Sequence, residues 1–386
     1  MDTLFFSDEH NMLVEMISDF AKSEIIPIAK EIDQTSRFPS EIIKKLGELG
    51  LLSIPVPKKY GGSGMDNVAY AAAIMELAKA DASIAITVAA HTSLGTMPIV
   101  LSGTEEQKQK YVPKLASGKI LGAFGLTEPE AGSDAGATKT TAVKNGKNYN
   151  VNGGKIFITN AGVAGLLSFT AQVIEDGVNK GIGAFIIPTD ISGLTISDPE
   201  KKMGWKASDT RQLFFHNMLI SESNMIAKPG EGFKVFLKTL TGGRISIASL
   251  AVGTAEGAYE KALQYSSERK AFGKKINKFQ SIGFKLSDMA TQIEAAKLLT
   301  YHAAWKKDKG HDIVKEAAMA KLFASEVAMK ITTEAIQIHG GYGYVKDYDV
   351  ERYFRDAKIL EIGEGTSEVQ RLIILKQILN KVEGIV

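Results

Sequence analysis

The hydrophobic period of this sequence changes twice along the chain, which restricts the fold more than any other feature. In residues 1–120 apolar residues recur every three or four positions, as Met16 and Phe20 do, and this is the spacing of amphipathic helices. Residues 121–230 alternate in short runs typical of strands, and residues 231–386 return to the helical period. The pattern predicts an α+β multidomain protein with an N-terminal helical domain, a middle β domain and a C-terminal helical domain.

Asparagine–glycine pairs mark the β region. Asn145-Gly146 and Asn152-Gly153 both fall in the stretch KNGKNYNVNGGKIFITN, where apolar residues alternate. Such pairs between alternating runs are the strongest short-range signal for a hairpin turn. The runs GLLSFTAQVI, GIGAFIIPTD and QLFFHNMLI follow as further short strands. We therefore expect the middle domain to be a β barrel or sandwich.

Long helical patterns dominate the last third of the chain. Three of them are RISIASLAVGTAEGAYEKALQYSSERKAF, SIGFKLSDMATQIEAAKLLTYHAAWKK and KEAAMAKLFASEVAMKITTEAIQI. A fourth helix is expected from TSEVQRLIILKQILNKV, which begins with a predicted capping box between Ser367 and Gln370. Four helices of this length predict a C-terminal four-helix bundle.

Composition narrows the classes of function. Lys+Arg 46 against Asp+Glu 44 leave a net charge of +2, which is too balanced for a nucleic-acid-binding surface. The absence of cysteine excludes disulfides, thiolate metal sites and a cysteine nucleophile, and the six scattered histidines predict no metal site. We expect no apolar run of about 18 residues, and the acidic start lacks the features of a signal or transit peptide. We expect a cytoplasmic protein without membrane insertion.

Motifs for common cofactors and nucleophiles are absent. The sequence has no G-x-G-x-x-G, P-loop, H-E-x-x-H or G-x-S-x-G pattern. Three glycine-rich polar stretches remain, FGLTEPEAGSDAGA, IQIHGGYGY and EGTSE. Glycine nests and helix N-termini bind anionic phosphates, but each stretch taken singly is also typical of a turn or a helix cap. Arg269 is open to the same two readings, as a phosphate ligand or as part of a solvated helix face.

Glu364 stands between Gly363 and Gly365, directly before the last predicted helix. One interpretation is a glycine turn followed by a helix cap. The other is a carboxylate that bare backbone presents to a flat ligand, because glycines allow close approach. The residues around Glu364 do not by themselves decide between the two interpretations.

Longer segments around these stretches resemble the acyl-CoA dehydrogenase family. GLTEPEAGSDAGA and QIHGGYGYVKDYDVERYFRD resemble its two sequence signatures, and EGTSEVQR resembles its catalytic loop. KIFITN, SERKAFGKKINKFQ and ELGLLSIPVPKKYGGSG also fall in family order, so the resemblance covers essentially the whole chain. It implies an N-terminal helical domain, a middle β domain and a C-terminal four-helix bundle, and it agrees with the layout expected from periodicity, with domains 1–120, 121–230 and 231–386.

The resemblance implies an FAD-dependent enzyme that oxidises an acyl-CoA thioester to the trans-2-enoyl-CoA and passes electrons to electron-transferring flavoprotein. By the family's pattern the residues lining the flavin ring are Phe124, Thr127, Ser133, Phe157, Ile158 and Thr159, with Thr127 and Thr159 as hydrogen-bonding groups. Those expected to reach the FAD of a neighbouring subunit are Arg269, Phe272, Gln280, Gln337, Gly340 and Gly341. Those at the start of the last helix are Thr366, Ser367 and Glu368. The acyl-CoA thioester is expected along Ser133, Thr241, Arg244 and Gly365. A cofactor site built across subunits implies the family's homotetramer.

The same resemblance makes Glu364 the expected catalytic base. Its carboxylate takes the α-proton of the acyl group while its backbone N–H polarises the thioester carbonyl. Enclosure between flavin and acyl chain is expected to raise the pKa of Glu364. Some family members carry the base on the residue before the equivalent of Arg244, but here that residue is Gly243, so Glu364 is the only candidate.

Three positions depart from the family's usual pattern. Gly363 stands where many members have Tyr, Phe157 where Trp is usual, and Thr241 where Asp is frequent. The stretch DASIAITVAAHTSLG, which resembles the family's pocket-lining helix, has no Arg or Lys. A second carboxylate on the acyl group would lie there without a partner, at a free-energy cost, so we expect a monocarboxylic acyl group of short to medium length.

Two alternatives remain beside the dehydrogenase. An acyl-CoA oxidase of the same fold would pass electrons to oxygen, although chains of that kind are typically longer at the C-terminus. A non-catalytic FAD- or acyl-CoA-binding protein belongs to a different class, and such a protein has no use for a base at Glu364.

Overall fold

The N-terminal part of the chain is helical in the computed structural model, which describes residues 4–383. Its helices are α1 (Asp8–Phe20), α2 (Ile26–Thr35), α3 (Ser40–Glu48), α4 (Asn67–Ala80), α5 (Ala82–Ala89), α6 (Met97–Ser102) and α7 (Glu105–Ala116). A π-helical segment, Ala90–Thr96, joins α5 to α6. Side chains cap the helices where the sequence offers them: Asp66 accepts a hydrogen bond from the Ala69 N–H of α4 at 2.8 Å.

The middle part forms a mixed β-sheet. Its strands are β1 (Leu121–Gly125), β2 (Thr141–Asn145), β3 (Asn148–Thr159), β4 (Ala164–Glu175), β5 (Val178–Pro188), β6 (Leu194–Ile196), β7 (Thr210–Ser221) and β8 (Met225–Ala227). They follow the order β6-β7-β3-β2-β4-β5-β8, and β1 pairs with β4 in parallel. Tyr149, Phe169, Phe185 and Phe215 are fully buried and form the aromatic centre of this domain.

One of the two predicted Asn–Gly turns is present. The Asn145–Gly146 turn joins β2 to β3, and the glycine takes a φ of +61°. The prediction of a second turn at Asn152–Gly153 was wrong, because both residues lie inside β3, beside a shift in its register against β7. A Cβ on Gly153 would come within 2.7 Å of Thr140 Cα, so this glycine allows β2 and β3 to pack closely.

The C-terminal part contains the long helices that the sequence predicts. They are α8 (Gly232–Glu268), α9 (Gln280–Asp308), α10 (Val314–His339) and α12 (Ser367–Glu383), with the shorter α11 (Val350–Lys358) before the last one. A small hairpin of β9 (Lys270–Ala271) and β10 (Lys274–Lys275) links α8 to α9. Helix α10 packs against α8, α9 and α12, and its buried face is rich in alanine, which allows close helix–helix contact. This arrangement is the predicted bundle.

Two helical stretches, Ala82–Ser102 and Gly232–Glu268, are long and apolar enough to span a membrane. The expectation that no apolar stretch would reach that length was therefore wrong. In the fold 78% and 67% of their most apolar windows are buried, because α8 packs against α4, α5 and the π-helical segment. Packing inside the protein accounts for their composition.

Helix α11 ties the three parts of the chain together. Arg352 donates to Asp81, just before α5, at 2.8 Å. Asp356 accepts from the backbone N–H of Trp205, in the β domain, at 2.6 Å. The chain changes from helix to strand between α7 and β1, and back between β8 and α8, and we propose domain boundaries there, at 120/121 and 230/231.

Candidate active site

Glu364 lies in a left-handed turn directly before α12. Its φ is 53° and that of Gly365 is +96°, so two successive residues adopt a conformation that side chains disfavour. For a non-glycine residue such as Glu364 this costs of order 1–3 kcal/mol, and it persists only where surrounding contacts impose it. The turn directs the Glu364 side chain toward α8 and the π-helical segment.

Gly243 of α8 makes the space in which the Glu364 carboxylate lies. A Cβ on Gly243 would be 2.2 Å from Glu364 Oε2 and 3.1 Å from Leu94 Cδ2. Any side chain at this position would therefore collide with the carboxylate. Positions 243 and 364, at which the sequence resemblance led us to look for a base, face the same space in this chain.

The Glu364 side chain is half-buried, and its Oε2 atom is buried without a hydrogen-bond donor in the described part of the chain. Among residues 4–383 none forms a hydrogen bond with its Oε2 atom. Burial raises the pKa of Glu364 to about 7, and the positive charges of Lys321 and Arg244 offset only part of that effect. A carboxylate with a raised pKa and a free oxygen has the properties of a general base near neutral pH.

The start of α12 differs from the predicted capping box. Thr366 is the capping residue, because its Oγ1 accepts a hydrogen bond from the N–H three residues further on, at 3.3 Å. Ser367 Oγ is buried and has no partner within the described part of the chain. Gln370 instead donates through Nε2 to the carbonyl oxygens of Glu364, at 3.3 Å, and Gly365, at 2.8 Å. The predicted capping box between Ser367 and Gln370 was wrong, because the Gln370 side chain donates to the turn before the helix and does not cap the helix N-terminus.

Lys321 of α10 is a buried residue of this site that the sequence analysis missed. Its Nζ donates to the Gly365 carbonyl oxygen at 2.7 Å, and the residue is 0% exposed. Burial lowers the pKa of Lys321 to about 8, against the opposing effect of the Glu364 charge. In AAMAKLFASEVA this lysine shares a helix face with buried Ala317 and Ala324. A charge on an apolar face requires a partner, and that was the signal available.

Residues predicted to line the flavin ring lie at the ends of β1 and β3. Phe124 is half-buried, and its ring stacks on Phe236 of α8 with centroids 4.1 Å apart. Phe157 is 63% exposed at a φ of 57°, where the register of β3 shifts. The Ile158 side chain packs in the β core, so only its backbone is available to a ligand. The carbonyl of Thr127 accepts a hydrogen bond from β3 at 2.9 Å, which brings β1 and β3 together.

The other residues predicted to contact the flavin or the acyl-CoA differ in exposure and in their hydrogen bonds. Ser133 is exposed after β1 and Thr159 is half-buried at the end of β3. Thr241 donates its hydroxyl to the Leu237 carbonyl of the same helix at 3.0 Å. Arg244 is buried, and its Nε has no acceptor among residues 4–383; burial lowers the pKa of Arg244, while Glu364 raises it. Arg244 is thus close to the carboxylate.

A separate cavity contains three residues predicted to bind the cofactor of a neighbouring subunit. Arg269, Gly340 and Gly341 line a cavity of about 500 Å³. The Arg269 guanidinium lies 5.5 Å from the centre of the Tyr342 ring, which is part of the same wall. A Cβ on either glycine would meet no atom within 4 Å, so the backbone there is open to a ligand.

Three more predicted residues of this group point outward. Phe272 is 95% exposed with a φ of 50°, and Gln280 and Gln337 are exposed on α9 and α10. The lining of the cavity contains none of the residues next to Glu364. Within one chain the two groups of predicted residues therefore form separate sites.

Glu128, in the stretch FGLTEPEAGSDAGA, is buried and hydrogen-bonded inside the protein. Its carboxylate accepts hydrogen bonds from Lys155 Nζ at 2.6 Å, from the Thr138 hydroxyl, and from the N–H groups of Lys139 and Thr140. Burial alone would raise the pKa of Glu128, but the Lys155 charge and these bonds lower it to about 2. This carboxylate is structural.

Comparison with known proteins gives the family of this chain. Family models for the N-terminal, middle and C-terminal domains of acyl-CoA dehydrogenase match residues 7–119, 123–218 and 230–379. A short-chain specific acyl-CoA dehydrogenase of Clostridium acetobutylicum is 50% identical over 366 residues, which are 95% of this chain and 97% of the relative.

Solved structures agree in fold. Butyryl-CoA dehydrogenase from Megasphaera elsdenii has a TM-score of 0.95 and 45% identity, covering 98% of this chain and 100% of that one. An acyl-CoA dehydrogenase from Bacillus anthracis complexed with FAD has a TM-score of 0.93 and 37% identity, covering 98% and 68%. Relatives and neighbours at this level of identity are acyl-CoA dehydrogenases, so the protein is an oxidoreductase. The chain belongs to the acyl-CoA dehydrogenase family, as the sequence signatures predicted, and the three-part fold is confirmed.

Proposed function

We propose that this chain is an FAD-dependent acyl-CoA dehydrogenase for short acyl groups, with Glu364 as the catalytic base. The observation that carries the proposal is the Glu364 Oε2 atom, which is buried, has no hydrogen-bond partner among the described residues and lies in the space that Gly243 leaves. The Glu128 carboxylate, by contrast, accepts hydrogen bonds from a lysine, a hydroxyl and backbone N–H groups. A non-catalytic binding protein has no need for such a group.

The chain's own residues fit FAD. The Ser367 hydroxyl is buried at the start of α12 without a partner among the described residues, and the Phe157 ring projects from the sheet. Thr366 and Glu368 stand on the same first turn, where free N–H groups favour polar ligand atoms. Arg269 and the open backbone of Gly340 suit a pyrophosphate.

The proposed chemistry at Glu364 is removal of the acyl α-proton. Bound FAD supplies the acceptor for the hydride that leaves the β-carbon. The ionised Glu364 carboxylate takes the α-proton, and its backbone N–H donates to the thioester carbonyl oxygen, so that the α C–H becomes more acidic. Because only the ionised form is a base, we expect the reaction to accelerate as pH rises through the pKa of about 7.

A short, monocarboxylic acyl group fits the surroundings of the carboxylate. Residues 81–95, of which Leu94 lies beside Glu364, contain no Arg or Lys. The hydroxyls of Thr87, Thr92 and Ser93 in this stretch donate to backbone carbonyls within the protein. Short-chain specificity of the similar Clostridium enzyme supports the same choice. At Gly363 a Cβ would meet only Ile359, at 3.4 Å or more, so the missing Tyr leaves additional room near the base.

The test is a panel of acyl-CoA thioesters mixed anaerobically with purified protein while flavin bleaching is followed. We expect butyryl-CoA to reduce the flavin faster than octanoyl-CoA or glutaryl-CoA. Faster bleaching by glutaryl-CoA would contradict the monocarboxylic assignment, and no bleaching by any thioester would contradict the dehydrogenase assignment. Peroxide release in air, in place of electron transfer to electron-transferring flavoprotein, would favour the oxidase.

We propose that the cavity lined by Arg269, Gly340 and Gly341 binds the FAD of a neighbouring subunit in a homotetramer. Exposed apolar side chains on the C-terminal helices support this, among them Phe272 at 95% and Phe284 at 60% exposure, together with Leu372, Leu375, Ile378 and Leu379 of α12. We expect Arg269→Ala to lose FAD on gel filtration and to shift toward smaller species, while Lys270→Ala, a neighbouring exposed cation, retains both. A yellow monomer with one FAD per chain would contradict the shared site. The cytoplasmic location stays a prediction.

A further inference from the structure

The carbonyl oxygen of Gly365 receives two hydrogen bonds from side chains outside its own turn. Lys321 Nζ of α10 donates at 2.7 Å and Gln370 Nε2 of α12 donates at 2.8 Å. Gln370 also donates to the Glu364 carbonyl at 3.3 Å. Both donor residues are 0% exposed. The carbonyl groups of both Glu364 and Gly365 are therefore held by buried side chains.

These contacts explain why a disfavoured backbone conformation persists at the base. Glu364 and Gly365 both have positive φ, at 53° and +96°, and such a turn relaxes unless it is held. A change in φ at Glu364 would swing its side chain out of the gap beside Gly243. Lys321 and Gln370 hold the carbonyl that follows, and so fix the direction of the carboxylate.

Lys321 adds a charge that Gln370 lacks. The groups that face Glu364 electrostatically are Lys321 from α10, Arg244 from α8 and the Tyr70 hydroxyl from α4. The groups that face Lys321 in turn include Glu361 and Glu368 on the chain around the turn. A buried cation close to a carboxylate stabilises its ionised form.

We propose that Lys321 is a positioning residue for Glu364, acting through the Gly365 carbonyl to hold the turn and through its charge to set the pH range in which the carboxylate is ionised. This rests on the proposed role of Glu364 as base. Lys321 is 44 positions from Gly365 in the sequence, so only the fold brings the two together.

The test compares three variants of the FAD-loaded protein: Lys321→Met, Gln370→Leu and Lys330→Met. The last removes an exposed lysine from the same helix and is the control. The rate constant of anaerobic flavin bleaching by saturating butyryl-CoA is measured across pH, together with the butyryl-CoA concentration at half-saturation and the FAD content.

We expect both Lys321→Met and Gln370→Leu to lower the rate constant by about tenfold or more, because a displaced base reacts slowly, with FAD content and half-saturation little changed. Only Lys321→Met should also shift the pH at which the rate constant rises, by about one unit or more toward higher pH, because it alone removes a cation. Lys330→Met should match the unmodified protein.

A Lys321→Met protein whose rate falls with no movement of the pH limb would reduce Lys321 to a purely structural role, and an unchanged rate would remove any role. If Lys321→Met fails to assemble, Lys321→Arg keeps the charge and should retain the limb at a lower rate; a shifted limb there would overturn the proposal. Glu364→Gln separates the two levels: if it bleaches normally, the base assignment itself is wrong, whatever Lys321 does.

Discussion

Two glutamates with buried carboxylate oxygens, in different domains, have opposite surroundings. Glu128 in the β domain accepts hydrogen bonds from a buried lysine, a hydroxyl and backbone N–H groups, and its pKa falls to about 2. Glu364 before α12 has two cations nearby but no donor to Oε2 within residues 4–383, and its pKa rises to about 7. Burial acts in the same direction on both carboxylates, so the hydrogen bonds and the direct ion pair make the difference.

The comparison shows how one residue type serves stability at one place and chemistry at another. Each hydrogen bond donated to the Glu128 carboxylate stabilises its charged form, so this group does not take up a proton near neutral pH. At Glu364 the donors Lys321 and Gln370 bind backbone carbonyls and leave the carboxylate itself unbonded. The fold thus fixes the position of the Glu364 carboxylate and leaves its Oε2 atom without a hydrogen bond from the described residues.

The largest effect is expected for Glu364→Gln. The amide keeps the shape and the backbone N–H but accepts no proton, so flavin reduction by butyryl-CoA should slow by about 10²–10⁴-fold, as is typical for loss of a general base. FAD content and acyl-CoA binding should persist. Glu361→Gln, in the same loop, is the matched control, measured by the same stopped-flow bleaching assay.

Glu128→Gln should produce the converse result. Removing one partner of a buried ion pair leaves the Lys155 charge without compensation, which typically costs about 3–5 kcal/mol. Urea unfolding should show this loss, whereas Glu130→Gln, an exposed neighbour in the same loop, should unfold like the original protein. The bleaching rate of the remaining folded, FAD-loaded Glu128→Gln protein should fall far less than that of Glu364→Gln. An equal loss of rate would end the distinction between the two glutamates.

Much of this fold was predictable because it depends on local pattern. Helices α8, α9 and α10 follow long periodic runs, and the Asn145–Gly146 turn follows from local chemistry. The role of Gly153 was predicted wrongly, because a glycine is needed there for the close approach of Thr140, just before β2, which a local pattern cannot reveal. The predicted separation into domains needed only the change of period.

The site was predictable to a smaller extent. Glu364 was singled out as a candidate through its glycines and the family resemblance, since both are local in sequence. Lys321 was missed because its acceptor is 44 residues away. The sequence analysis predicted the helix cap at Ser367 and not at Thr366. Both residues carry a hydroxyl that can cap a helix, and the sequence does not show at which of them the helix begins.

Gly243→Ala should have an intermediate effect that sharpens the geometry. The new Cβ would lie 2.2 Å from Glu364 Oε2, and overpacking of this kind costs about 1–3 kcal/mol, so the carboxylate must move and flavin reduction must slow. Gly242→Ala is the matched control, because its Cβ would meet only the end of the flexible Lys307 side chain, at 3.0 Å. Equal rates in the two variants, compared in the bleaching assay, would show that the carboxylate is not held where the structure has it.

The smallest effect is the dependence of stability on pH. The folded pKa of Glu364 is raised, so its contribution to stability is present below the unfolded value of 4.5 and is lost as pH rises through about 7. The folded pKa of Glu128 is lowered, so its contribution is present above 4.5 and is lost as pH falls toward 2. Glu364→Gln should therefore gain unfolding free energy relative to the original protein between pH 4.5 and 7, by about 1.4 kcal/mol per pH unit at most. Parallel urea titrations of the two proteins should diverge in that range, and parallel curves would contradict the raised pKa.

The most direct test of the central claim is the rate constant of anaerobic flavin bleaching at saturating butyryl-CoA, measured against pH in the original protein and in Glu364→Gln. If Glu364 is a base whose pKa is raised by burial, the rate of the original protein rises with pH through a single ionisation near 7, and Glu364→Gln is slow and shows no such limb. A rate that is flat across this range in the original protein, or a limb that survives in Glu364→Gln, would contradict the account and assign the proton to another group.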